Sequence, residues 1–74
     1  MKNKSYKNWE RERAEAKFLA LNVGVPDNFA DIPLNALIDM TMELKHAQAR
    51  GELDLETNAG VEKLAEIVDW YTKE

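Results

Sequence analysis

Residues 33–50, PLNALIDMTMELKHAQAR, form the longest periodic stretch of the chain, and their reading decides the fold. At about 100° per residue, Leu34, Leu37, Ile38, Thr41, Leu44 and Gln48 share one helical face. Met40, Ala36 and Ala47 widen that face on one flank and Met42 borders it on the other. Asn35, Asp39, Glu43, His46 and Arg50 line up opposite, so the stretch reads as an amphipathic helix packed on a core. Pro33 suits a first helical turn, where a missing N–H loses no bond, with Asp31 or Ile32 as the cap. Gly51 is the expected left-handed stop.

Working outward, WERERAEAKFLALN (residues 9–22) is rich in helix formers but poorly periodic. Trp9, Ala16 and Ala20 fall on one side with Leu19 nearby; Ala14, Phe18 and Leu21 fall on the other. The FLAL turn is expected to be buried nearly all round, while the charged N-terminal turns project from the core. Asn8 is a candidate cap for a helix starting at Trp9, and Ser5 competes one turn earlier. Asn22 and Gly24 end this helix, and Phe29 and Ile32 pin the Pro-containing connection to the core. GELDLETNAG is an acidic connector in which Asp54 or Thr57 caps the last helix. In that helix Val61, Leu64, Ala65, Val68 and Tyr71 form the apolar face, Ile67 sits on its edge, and Trp70 lies off it. The expected fold is all-α, a small bundle of three helices over roughly residues 9–21, 33–50 and 58–71. Residues 1–8 read as a flexible basic tail and residues 9–74 as one helical domain.

A chain of 74 residues without cysteine buries a thin core and has no disulfide or cysteine-based zinc site to reinforce it. No apolar run approaches the length of a membrane span, and no signal peptide is expected because no apolar block follows the first lysines. The absence of cysteine fits a cytosolic protein.

Chemistry finds little footing. His46 is the only histidine and Ser5 the only serine, so neither a metal set nor a nucleophile with its base can be assembled. Asp54, Glu56 and Asn58 alternate like part of a calcium loop, but Ala59 and Ala65 stand where the loop needs glycine and a bidentate glutamate. The Ala20-to-Gly24 interval suits a helix-turn-helix, but Pro26 and Pro33 and the acidity of the following segment do not suit a recognition helix. No enzyme activity, cofactor or metal is expected.

The strongest functional signal is charge asymmetry. Residues 1–17 hold Lys2, Lys4, Lys7, Arg11, Arg13 and Lys17 against three glutamates, a net of +3. The remainder holds four cations against eleven acids, a net of -7. Lys4, Tyr6, Lys7, Asn8, Trp9, Glu10, Arg11 and Arg13 are therefore the candidate partner-binding residues, with Trp9 and Arg11 as interface anchors. Cations beside aromatics also suit nucleic acid, a secondary reading because the acidic body repels a polyanion. Two alternatives stand beside it. The acidic residues Glu52, Asp54, Glu56, Glu62, Glu66 and Asp69 suit a nucleic-acid mimic of the anti-CRISPR kind, and Trp70 with Ile67 suits a small dimerising domain.

The basic, aromatic-bearing head KNKSYKNWERERAEAK on a compact acidic helical body resembles the small phage-encoded transcription regulators that bind host RNA polymerase. The resemblance is one of whole-chain character. It implies a non-enzymatic, monomeric protein in the host cytoplasm that inhibits initiation or promotes antitermination through protein contacts. It also implies that Asn8, Trp9, Glu10 and Arg11 belong to the polymerase-contacting element.

Overall fold

The central stretch forms the middle helix of three. The computed structural model describes residues 6–73, with side chains from Trp9 onward. Its helices are α1 (Tyr6–Leu19), α2 (Leu34–Ala49) and α3 (Asn58–Thr72). A single 3-10 turn, Phe29–Asp31, lies in the first connection. The described residues contain no strand, so the chain is an all-α three-helix protein. α1 and α3 each pack on α2 and not on each other. The radius of gyration of 13.2 Å exceeds the roughly 11 Å of a compact chain this long, so the bundle is open.

Each helix end has a local cause. α1 starts at Tyr6, one turn before Trp9, because nothing in Tyr6–Asn8 breaks a helix; residues 1–5 of the expected tail lie outside the described residues. α1 stops where Leu21 N–H bonds the Phe18 carbonyl at 3.0 Å and Asn22 takes the left-handed conformation at φ 59°. Pro33 caps α2 from outside rather than opening its first turn, and its carbonyl accepts from Leu37 N–H at 2.8 Å. At the other end Gly51 N–H bonds Gln48 and Glu52 N–H bonds Ala47, the paired closure that needs Gly51 at φ 77°. Thr57 caps α3, its Oγ1 accepting from Gly60 N–H at 3.1 Å and donating to the Asp54 carbonyl at 2.9 Å. Asp54 instead stiffens the connector, its carboxylate accepting from Glu56 N–H at 3.0 Å.

The core joins Ala14, Phe18 and Leu21 of α1 to Leu37, Met40, Leu44 and Ala47 of α2, with Ile32, Leu53 and Ile67 closing it. The Phe18 and Phe29 rings lie 5.1 Å apart, which pins the first connection as its sequence suggests. Gln48, on the apolar face by periodicity, donates to the Leu21 carbonyl at 3.0 Å and so ties α2 to the frayed end of α1.

Three expected faces are rotated. α2 touches a neighbour on each side, so its buried arc is centred on Leu37, Met40 and Leu44, and Ile38 is left exposed. The last turn of α1 is not buried all round: Phe18 and Leu21 are inside, but Leu19 is exposed because α2 is the one helix that packs on α1 and it covers the other side. On α3, Ile67 is a core residue at 3% exposure while Val61 and Ala65 face solvent. The cause is Gly60, which lies against the connector: a Cβ there would stand 1.9 Å from the Asp54 carbonyl oxygen. That contact fixes which side of α3 turns inward.

Candidate partner-binding groove

Because its core side is fixed by Ala14 and Phe18, α1 sorts its charges onto two flanks. One flank carries Glu12, Glu15 and Leu19; the other carries Trp9, Glu10, Arg13 and Lys17 and borders α2. Between that second flank and the exposed side of α2 runs a groove of about 340 Å³ lined by Trp9, Arg13, Lys17, Ile38, Thr41 and Met42, with Glu10 and Ala14 completing it. Trp9 is 49% and Met42 52% exposed. The Arg13 guanidinium lies 5.1 Å from the Trp9 ring centroid, a cation–π pair that holds both side chains at the rim.

The other candidate residues separate. Arg11 turns to the opposite side and is committed internally. Its Nη2 donates to the Phe29 carbonyl at 2.9 Å, its Nη1 donates to Ile32, and its Nε meets Glu15 at 2.8 Å. It closes the 3-10 turn onto α1, whereas Arg13 stands at the rim of the groove. Tyr6, Lys7 and Asn8 occupy the first turn of α1, with side chains outside the description, and Lys4 lies outside the described residues altogether. Periodicity places Ile38 and Thr41 on the core face of α2 and Met42 at its border, and so does not mark them as groove residues. Their signal was the i, i+4 pair Ile38 and Met42, which a helix flanked on two sides cannot keep in its core.

The charges around the groove are uneven. Arg50 and Lys63 engage Glu52, and Arg11 engages Glu15. Arg13 and Lys17, and Lys45 one turn beyond Thr41 on α2, have no carboxylate partner among the described residues. Arg13 and Lys17 line the groove beside Glu10, while Lys73, also without a carboxylate partner among the described residues, lies over Trp70. At the base Thr41 is 6% exposed, and its Oγ1 has no hydrogen-bond partner among the described residues.

The acidic side is more mixed. The Glu52 carboxylate is held below the usual range by the hydrogen bond from Arg50, against the opposing effect of desolvation. Trp70, 68% exposed, has Lys73 above its ring and Lys63 in the same concavity as Glu66 and Asp69. Tyr71 donates to Glu43 at 2.8 Å, and that bond raises the phenol above its ordinary range. Val25 and Pro26 meet Val61 and Ala65 in a third, apolar hollow. Ile67, paired with Trp70 in the dimerisation reading, faces α2 and is closed to a partner.

His46 is exposed on α2, and no group of three or more metal-ligating side chains converges among the described residues. No helix there is long and apolar enough to cross a membrane. Comparison with protein families, curated proteins and solved structures found no match.

Proposed function

We propose that this chain is a non-enzymatic regulator that binds a protein partner through the flank of α1 carrying Trp9, Glu10 and Arg13. The partner named by its resemblance to the small phage transcription regulators is host RNA polymerase, in the host cytoplasm. The observation that carries the reading is the exposed Trp9–Arg13 pair beside a groove, since an aromatic and an arginine held together are typical interface anchors. Lys4, Tyr6, Lys7 and Asn8 precede that flank and extend its basic, aromatic character toward the N-terminus. Arg11 supports the surface from behind. The mixed charges around Glu52 and Trp70 favour this reading over an acidic mimic, which needs a continuous acid face.

The test is transcription in vitro with purified bacterial polymerase from candidate hosts, on a template carrying a promoter and a terminator. The wild-type chain is expected to lower initiation or raise terminator read-through, and Trp9→Ala with Arg13→Glu to abolish the effect while far-UV circular dichroism stays unchanged. Transcription unaffected by the wild-type chain would remove polymerase as the partner.

A further inference from the structure

The groove itself specifies what enters it. We propose that the α1–α2 groove takes an acidic amphipathic helix of the protein partner, with large apolar side chains seated on Ile38 and Met42 and carboxylates facing Arg13 and Lys17. This rests on the reading of the chain as a protein-binding module and adds the chemistry of the bound segment.

Three observations converge on that occupant. The groove lies between two helices, with Trp9, Arg13 and Lys17 at i, i+4 and i+8 on one wall and Ile38 and Met42 at i and i+4 on the other. That run spans about 12 Å, the rise of two helical turns, so it matches apolar anchors repeating at i, i+3, i+4 and i+7. The open bundle leaves this seam uncovered, since α3 packs on α2 without reaching α1. In a chain of net charge -4, Arg13 and Lys17 outnumber the single acid of the lining, Glu10, so the groove carries a net positive charge and an acidic helix is complementary. Ile38 and Met42 offer a nucleic-acid backbone no hydrogen bonds, while the unbranched Met42 adapts to varied apolar side chains.

The experiment titrates the ¹⁵N-labelled full chain with a synthetic helix of about four turns, leucine and phenylalanine on one face and glutamate on the other. Its controls are the same peptide with lysine for glutamate and a single-stranded oligothymidylate. The acidic peptide is expected to shift the Trp9 indole, Ile38 and Met42 signals and leave the Trp70 indole in place. Met42→Glu and Lys17→Glu, both at exposed positions, are expected to weaken it about tenfold or more, as loss of an anchor or a steering charge does. No binding, equal binding of the lysine peptide, shifts centred on Trp70, or tighter binding of the oligonucleotide would each overturn the assignment. Binding of the acidic peptide with no effect of the chain on polymerase would leave the groove assigned and the partner wrong. An effect on polymerase that Met42→Glu does not change would do the reverse.

Discussion

Arg11 shows how one side chain can read as a surface anchor and serve as a structural clamp. Its guanidinium reaches 18 to 21 residues along the chain, to the carbonyls of Phe29 and Ile32. Three of its nitrogens are used, which a lysine with one compact ammonium cannot reproduce. Charged hydrogen bonds of this kind contribute about 1.5–3 kcal/mol, so Arg11→Ala is expected to destabilise by about that amount in urea unfolding, with Arg11→Lys recovering little. Thr41 is the opposite case. A buried hydroxyl without a partner costs about 1–3 kcal/mol, so Thr41→Val, of the same shape, is expected to raise the urea midpoint by the equivalent of about 1 kcal/mol. A drop would mean that the hydroxyl bonds in solution. Neither role is written in the sequence near either residue. Arg11 depends on a carbonyl cluster brought to it by the Phe18–Phe29 contact, and Thr41 on how far α2 is rotated.

At the scale of the helices, existence and most boundaries were legible because punctuation carries them. Pro33, Gly51, Asn22 and Thr57 stop or start helices through backbone conformation and capping, which are local. The inward face was less legible, since periodicity gives a stripe but not the neighbours that share it. α2 has two partners and buries a different arc from its hydropathy centre; α3 has one, and its rotation is set by a glycine. Gly60→Ala separates the two effects. Helix propensity alone predicts a gain of about 1 kcal/mol, whereas overlap with the Asp54 carbonyl predicts a loss of about 1–3 kcal/mol, because backbone must shift. The expected outcome is the loss, read as a lower thermal midpoint and weaker protection of residues 52–57 from hydrogen exchange. The groove falls in the same category. Trp9, Glu10 and Arg13 stood out by composition, but the wall supplied by Ile38 and Met42 is a product of rotation.

The whole molecule divides its work by side. α2 joins two helices that do not meet; one seam is consolidated by Phe18, Leu44 and Met40, and its outer margin stays open beside Trp9. Charge partly follows the same division: Arg50 and Lys63 both engage Glu52, while Arg13 and Lys17 stand at the open margin without a carboxylate partner among the described residues. The acidic body and basic margin together would steer an acidic partner surface toward that side and repel it from the rest, which acts chiefly on association rate and weakens with salt. The central claim is that this margin is the binding surface, and the direct measurement is the affinity of immobilised full chain for purified bacterial RNA polymerase. The account predicts saturable binding by the wild-type chain, weakened about tenfold or more by Trp9→Ala with Arg13→Glu and unchanged by Trp70→Ala. Binding that survives the first variant and is lost with the second would contradict it.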